Sequence, residues 1–367
     1  AWDVAKKYED IFLKAMQELR IDRFDVMPRA TERIQEQIQM VERLEEKGYT
    51  YTIPDDGIYM DTSLVEDYGK LMWANYKKRL ADLNAGERVD IWGKRNPTDF
   101  ALWKFSTRDE KRQMERDSPW GIWFPGWHIE CSAMASKYLG EQFDIHHGGT
   151  DHITVHHSNE ITQSECSFWH KPWVKYWLHN EFLQVDGGKM SKSLGNIYSL
   201  DDIKAKGYSP LDLRYFYFKA QYSNFLNFTR DALEQAKNER QGLIKKIRNL
   251  TPVEWDDGFQ EKIYAALWDN LNTPKLLSDI HLALSYPTEQ TLSLLKELED
   301  KVLKVWLFDP VIEESVEVPE EILHLAEARK QAKTDKNYAL ADQLRAEILE
   351  KWWEVKDSKD GFELIKK

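Results

Sequence analysis

Eight of the ten histidines lie between positions 128 and 179, so potential metal ligands are concentrated in the middle of the chain. His156 stands four residues before Glu160, a spacing that puts both side chains on one face of a helix. Together with Cys131 upstream they offer an imidazole, a carboxylate and a thiolate, which suit tetrahedral zinc with one position open for substrate. Three ligands still need a fourth from elsewhere. The H-x-x-x-E spacing also arises by chance, and a lone cysteine is often a small buried hydrophobe, so both interpretations stay open.

Two glycines and an aspartate, Gly148, Gly149 and Asp151, form a second candidate element. Paired glycines let the backbone approach a ligand closely. A following carboxylate can accept hydrogen bonds from ribose hydroxyls, as it does at strand ends in nucleotide-binding sheets. An ordinary turn has the same composition, so these residues indicate either a nucleotide site or a turn.

The third element is the pentapeptide K-M-S-K-S at 189–193, which has glycines on both sides. Its lysines, Lys189 and Lys192, could place two ammonium groups on a polyphosphate and stabilise the charge that develops on departing pyrophosphate. A solvated basic loop is the usual explanation of a K-x-x-K pair, but the full pentapeptide is far more specific.

Helices and short strands must position these groups. Apolar residues at helical spacing predict helices up to about residue 47, and β-like runs predict strands at 49–53 and 58–60. Residues 106–117 are typical of a charged linker or an exposed helix. No internal repeat is present.

The second half of the chain is predicted to be mainly helical. The pattern is helical from 209 to about 309, with breaks near 251 and 286. One helix over 322–351 is predicted to precede two short strands, near 354–355 and 363–365.

Composition excludes several classes of protein. The 367 residues are 42% hydrophobic and 31% charged, a globular balance, and no apolar run approaches the length of a membrane span. The net charge of -12 means that any contact with RNA must rely on local positive patches.

The chain has only two cysteines, Cys131 and Cys166. One disulfide could not stabilise a fold of this size, which favours a reducing cytoplasm. Because the first residues have neither a basic nor an apolar region, we expect no signal peptide, and the missing initiator Met predicts a fragment.

The motifs together resemble a known enzyme family. K-M-S-K-S is the signature loop of class I aminoacyl-tRNA synthetases. The rest of the sequence is similar to the cysteinyl-tRNA synthetase family along the whole chain. The similar segments are K-R-N-P-T-D-F-A-L-W-K at 94–104, S-P-W-G at 118–121, P-G-W-H-I-E-C-S-A-M at 125–134, H-H-S-N-E at 156–160, L-N-T-P at 271–274 and parts of 329–342.

The resemblance implies an α/β fold with a split Rossmann-type catalytic domain, a connective insertion, an α-helical bundle and a small mixed C-terminal module. The expected parts are 1–28 (remainder of the first Rossmann half), 29–115 (connective insertion), 116–185 (second Rossmann half with the zinc site), 186–230 (signature-loop region), 231–310 (helical tRNA-binding bundle) and 311–367 (anticodon-side module).

The resemblance also implies the site residues. Cys131, His156 and Glu160 match three of the four zinc ligands, and the fourth is a cysteine that would precede Ala1. Zinc would bind the substrate cysteine as a thiolate, which discriminates against serine because a hydroxyl is a far weaker ligand. Trp127 matches a tryptophan beside that pocket.

The implied reaction has two steps. L-cysteine attacks ATP, supplied with Mg²⁺, to give cysteinyl-adenylate, and the cysteinyl group then passes to the 3′ end of tRNA(Cys). Lys189 and Lys192 would assist the first step and Lys192 would contact ATP. Gly148, Gly149 and Asp151 would line the ATP site, with Asp151 facing the ribose.

Two departures from the family pattern stand out. No H-I-G-H motif occurs, and the family would place it before Ala1, so we expect an N-terminally truncated chain that is inactive as it stands. The usual H-H-E-N-E reads H-H-S-N-E at 156–160, which keeps the ligands and should alter only packing.

Several tryptophans stand where the family generally has glycine. They are Trp73, Trp123, Trp169 and Trp352, and Trp92 lies in a similar turn. A tryptophan in the left-handed backbone region that ends a helix is strained by about 1 kcal/mol or more. We therefore favour a gene in which UGA encodes glycine, translated with UGA as tryptophan. Five genuine tryptophans in loops are the alternative.

Two other functions remain open. A ligase that joins cysteine to an amino sugar shares the zinc site but lacks the tRNA-binding parts that 209–367 resemble. A non-catalytic zinc- or RNA-binding fragment or paralogue fits the missing H-I-G-H half, whereas the intact loop at 189–193 argues against it.

Overall fold

The structure is a computed structural model that describes residues 1–75, 92–106, 115–252, 258–308, 319–351, 353–358 and 361–366. The chain forms two compact units, Ala1–Phe308 and Asp309–Lys367. No helix in the described ranges combines the length and the apolar character needed to cross a bilayer.

The first unit contains both helices and strands. Its helices are α1 (Trp2–Glu18), α2 (Ile34–Glu46), α3 (Trp127–Leu139), α4 (His156–Phe168), α5 (Leu200–Ala205), α6 (Pro210–Tyr217), α7 (Arg230–Arg248), α8 (Phe259–Trp268), α9 (Thr273–Ala283) and α10 (Glu289–Leu298). Its strands are β1 (Thr50–Ile53), β2 (Gly57–Met60), β3 (Phe100–Phe105), β4 (Arg116–Ser118), β5 (Gly121–Pro125), β6 (Phe143–Gly149), β7 (Val174–Asn180), β8 (Leu183–Val185), β9 (Gly188–Lys189) and β10 (Leu226–Phe228).

An antiparallel sheet supports the middle of the first unit. Its five strands have the order β1-β2-β3-β5-β4, which confirms the strands predicted at 49–53 and 58–60. Helix α2 packs on this sheet through apolar residues at helical spacing, with Val41 and Leu44 fully buried. Leu102 and Trp103 of β3 complete the same core.

A β-α-β unit carries most of the histidines. Strands β6 and β7 are parallel neighbours, paired from Phe143–Val174 to Gly149–Asn180, and α4 connects them. Parallel strands need such a crossover, and a helix is the usual one. The mixed helix and strand content confirms the predicted α/β class.

The signature pentapeptide begins at the last residue of strand β9, in a second small sheet. Strand β8 pairs with β9 in antiparallel and with β10 in parallel fashion. Helices α5 and α6 then begin at capping boxes of Ser199 with Asp202 and of Ser209 with Asp212, where each serine and aspartate satisfy one another's backbone N–H groups.

The helical part of the first unit has one apolar core, which includes Leu233, Ile263, Ile280 and Leu295. Helix α7 ends at Arg248 and α9 ends at Ala283, close to the predicted breaks near 251 and 286.

The second unit corrects one prediction. The single helix predicted over 322–351 is wrong, because two helices, α11 (Glu320–Thr334) and α12 (Tyr338–Glu350), occupy this region. Lys336 has a left-handed backbone with φ of 58°, and the side chain of Asn337 accepts a hydrogen bond from the Leu340 N–H and caps α12. The predicted strands follow as the antiparallel hairpin β11 (Trp353–Ser358) and β12 (Gly361–Lys366).

Some expectations are not decided by this architecture. The six-part domain division stays a prediction. Most of the linker or helix expected at 106–117 lies outside the described residues, and β4 begins at Arg116.

Candidate metal and nucleotide site

Gly126 fixes where helix α3 starts and therefore where its side chains point. Its N–H donates to the carbonyl of Leu102 on β3 at 2.8 Å. A Cβ at this position would lie 2.1 Å from the carbonyl oxygen of Ala101, so only glycine fits. The close approach places α3 against the sheet, with Trp127 in its first turn and Cys131 one turn later.

The structure brings Cys131, His156 and Glu160 together. One ligand atom from each lies within 4.8 Å of the others. Nε2 of His156 is 3.6 Å from Oε2 of Glu160, as the spacing of four residues on α4 predicts. Glu160 is fully buried, and its Oε1 accepts no hydrogen bond from the described residues. A buried carboxylate with a free oxygen beside a thiol and an imidazole fits a zinc ion.

Burial dominates the electrostatics of these ligands. Together with a smaller effect of the nearby Glu160 carboxylate, it raises the pKa of the Cys131 thiol to about 12. It also lowers the pKa of His156, which favours the neutral imidazole that binds metals.

A hydrogen-bonded shell orients His156. Its Nδ1 lies 2.8 Å from Nδ1 of His128, which leaves Nε2 facing Glu160. Gln163 in turn donates from Nε2 to the carbonyl of His128 at 2.5 Å and to the hydroxyl of Ser132 at 2.6 Å. Such partners commonly fix the tautomer and ring orientation of a metal ligand.

Sequence reasoning singled out one imidazole, but two more face the same carboxylate. Nε2 of His146 is 3.2 Å and Nε2 of His157 is 3.8 Å from Oε2 of Glu160. His157 also lies 2.8 Å from His179, through Nδ1 and Nε2 respectively. The clustering of histidines was the signal in the sequence, but it did not identify which rings meet.

The glycine pair at the end of β6 has a packing role. A Cβ on Gly148 would lie 2.5 Å from Cε1 of His157, so the missing side chain makes room for that ring. A Cβ on Gly149 would lie 2.4 Å from a carboxylate oxygen of Asp151. The Asp151 side chain is about half exposed and open to hydrogen bonds from outside.

Asn196 shapes the signature loop, and the sequence analysis did not single it out. The N–H of Ser191 donates to Oδ1 of Asn196 at 2.8 Å, and Nδ2 of Asn196 donates to the carbonyl of Lys189 at 3.1 Å. The Lys189 side chain is exposed at the end of β9, whereas the side chain of Lys192 lies outside the described residues.

Trp127, the predicted substrate neighbour, begins α3 and is 75% exposed, so its indole is accessible near Cys131.

Within the part of the chain that the structure describes, two tryptophans have the left-handed backbone that favours glycine. Trp169 ends α4 with φ of 64° and ψ of 18°, and Trp306, which the sequence analysis did not name, has φ of 60°. In the turn at Trp92 the positive φ belongs to Gly93.

The other tryptophans give less information. Trp123 lies in β5 opposite Phe105, with extended backbone, so left-handed strain does not apply to it. The side chains of Trp73 and Trp123, and the whole of Trp352, lie outside the described residues.

Known proteins share both the sequence and the fold. Residues 1–238 match the family model described as tRNA synthetases class I (C) catalytic domain. A cysteine–tRNA ligase from Treponema denticola is 40% identical over 94% of this chain and 76% of its own length. Cysteine–tRNA ligase 1 from Burkholderia lata is 41% identical over 100% of this chain and 77% of its own length.

A solved structure shares the fold at low sequence identity. Mycobacterium tuberculosis methionyl-tRNA synthetase in complex with methionyl-adenylate has a TM-score of 0.54 and 15% identity, covering 92% of this chain and 83% of its own. At that identity the likeness concerns the fold alone.

Proposed function

Because the chain belongs to the cysteine–tRNA ligase family, we propose that the gene product that carries residues 1–367 activates L-cysteine with ATP and transfers the cysteinyl group to the 3′ end of tRNA(Cys). The observation that carries this function is the identity of 40–41% to cysteine–tRNA ligases over 94–100% of the chain. The α/β fold of a class I synthetase agrees with it.

Cys131, His156 and Glu160 would hold a zinc ion. When bound, zinc supplies a contact that selects the thiolate of L-cysteine over the hydroxyl of L-serine. Hydrogen bonding to His128 keeps Nε2 of His156 directed toward the other two ligands. The accessible indole of Trp127 would flank the substrate side chain.

Mg²⁺-ATP would bind between the glycine pair and the signature loop. Asp151, exposed beside Gly149, would accept hydrogen bonds from the ribose. Lys189 and Lys192 would stabilise charge on the pyrophosphate as it leaves. Asn196 fixes the backbone between these lysines, so they need little rearrangement during the reaction.

Transfer to tRNA would use the helices after the signature loop. The basic last turn of α7, with Lys245, Lys246 and Arg248, offers a local positive patch on an acidic protein. We also propose a reducing cytoplasm, because both cysteines are free thiols in a fold of this size.

The test uses the gene product that carries residues 1–367. We expect ATP–pyrophosphate exchange that depends on L-cysteine and not on L-serine, followed by charging of tRNA(Cys). Exchange without charging would favour a ligase that joins cysteine to an amino sugar. Absence of exchange in a folded, zinc-loaded protein would contradict the enzymatic function.

A further inference from the structure

His146, His157 and Glu160 form a second group whose ligand atoms all lie within 4.8 Å of one another. His157 and Glu160 are buried, and His146 is mostly buried. The group lies on β6 and α4 and contains no thiol. We propose that these three residues form an alternative position for a divalent metal ion, adjacent to the Cys131 position and sharing Glu160 with it.

The spacing within this group suits a metal ion. Ligand atoms about 2.0–2.1 Å from a tetrahedral zinc lie about 3.3 Å from each other. Oε2 of Glu160 is 3.2 Å from Nε2 of His146 and 3.8 Å from Nε2 of His157. The unpartnered Oε1 of Glu160 adds a further buried lone pair. A small inward movement of His157 would complete a three-ligand set.

His157 is supported in the same way as His156. Each ring turns Nε2 toward Glu160 and places Nδ1 2.8 Å from another imidazole, which is His179 for His157 and His128 for His156. An outer hydrogen bond on the second ring nitrogen is typical of metal-binding histidine.

The surroundings fix both rings in place. Ring centroids of His146 and His157 each lie 4.8 Å from the centroid of Trp177, which forms a common wall. Gly148 admits the ring of His157, since a Cβ there would lie 2.5 Å from Cε1. This packing gives the two imidazoles little freedom to turn away from Glu160.

Charge limits the pair of positions to one ion at a time. Two divalent ions would bring four positive charges into a buried space where Cys131 and Glu160 together supply two negative charges. The unbalanced charge would be costly in such surroundings. The two positions are therefore alternatives, and Glu160 belongs to both.

The chemical character of the second position follows from its ligands. Two imidazoles and a carboxylate suit Zn²⁺ and Co²⁺ without any thiolate. The ion can therefore stay bound when the sulfur of Cys131 is unavailable.

Cobalt is a suitable probe because a thiolate ligand gives Co²⁺ a near-ultraviolet charge-transfer band. We expect C131A to weaken this band, because one thiolate is removed, but to keep about one Co²⁺ per chain, with affinity reduced about 10- to 100-fold. Adding H146Q should weaken binding at least another 10-fold. The matched control is C131A/H147Q, because His147 is the next residue on β6 and is exposed; it should bind as C131A does.

Two results would overturn the proposal. One is a folded C131A protein that takes up no Co²⁺, and the other is equal binding by C131A/H146Q and C131A/H147Q. Circular dichroism checks folding, and the isosteric C131S replaces C131A if the latter does not fold. The proposal is independent of the enzymatic function, because cysteine activation by the unaltered protein is measured separately.

Discussion

The phenolic hydroxyl of Tyr68 donates a hydrogen bond to Oδ1 of Asn159 at 2.8 Å, across 91 residues of chain. Both side chains are almost completely buried. Asn159 directly precedes Glu160, so the bond ties the metal-ligand turn of α4 to the segment after β2. Lys70 pairs with Glu165 further along the same helix.

Removing this hydroxyl should loosen the ligand helix. In Y68F the Asn159 oxygen loses its buried donor, and we expect the free energy of unfolding to fall by about 1–2 kcal/mol. Zinc affinity should fall as well, because Glu160 is the next residue. Urea denaturation and competition with a chelator measure the two effects. The control is Y286F, since Tyr286 is 65% exposed and should change neither quantity. Unchanged zinc affinity in Y68F would show that the bond does not position Glu160.

The double variant H156A/E160A should take up no stoichiometric zinc, because it removes two of the three proposed ligands, including the one shared by both metal positions. We expect metal analysis after dialysis to give close to zero zinc per chain, and cysteine-dependent exchange to be lost with it. H147A, altered at an exposed neighbouring imidazole, should keep its zinc. Full zinc content in the double variant would disprove the ligand assignment.

The paired lysines of the signature loop should matter for the chemical step. Loss of one preorganised charge donor typically costs about 10²–10³ in rate, so K189A and K192A should each lower kcat for ATP–pyrophosphate exchange to that extent. Zinc content should not change. K206A removes an exposed lysine outside the loop and serves as the control. Normal exchange in both variants would remove the lysines from the mechanism.

Asn196 should act through the loop backbone. N196A removes the acceptor for the Ser191 N–H and the donor to the Lys189 carbonyl. We expect kcat for exchange to fall about 10-fold while KM for cysteine stays unchanged, because the zinc site is not altered. N196D keeps the acceptor and should recover part of the rate. N238A, at an exposed asparagine of α7, should have no effect.

Replacing Trp169 by glycine should stabilise the protein. A residue with a side chain at φ of 64° is strained, and glycine relieves about 1 kcal/mol. This gain in the free energy of unfolding should exceed the loss caused by removing the contact between the Lys47 ammonium and the Trp169 ring. That contact is exposed, and its separation is 5.1 Å. W169A, which keeps a Cβ, should gain less. Denaturation curves measure the stabilities of W169G, W169A and the unaltered protein. If W169G is less stable than the unaltered protein, the strain argument is refuted.

The codon at position 169 gives a separate test of the glycine hypothesis. TGA there and at position 306 would support it, because both residues have positive φ. TGG at both would make the tryptophans genuine.

Local patterns predicted the early strands and the helical second half because these depend on spacing along the chain, whereas the α/β class followed from the resemblance to the synthetase family. The division at Lys336 depends on one residue with left-handed backbone, which a lysine does not reveal in a sequence. Helix α4 also lacks an amphipathic pattern, since polar residues such as Thr162 and Gln163 are buried on it.

The second imidazole group could not be identified from spacing alone. His146 and His147 are neighbours, and only their alternation on β6 turns the first toward Glu160 and the second outward. That distinction needs the register of the strand. By contrast, His156 and Glu160 are one turn apart on a single helix, and the motif was sufficient to pair them.

The attachment of both ligand helices has a consequence for dissecting the protein. Helix α3 packs closely against β3 at Gly126. Helix α4 is hydrogen-bonded, through Asn159, to Tyr68 in the segment after β2. The partner residues Leu102 and Tyr68 both lie within 29–115, the stretch expected to be an insertion. That stretch is therefore not a removable module, and a shortened or chimeric protein that replaces it would have to rebuild the alignment of Cys131 with Glu160.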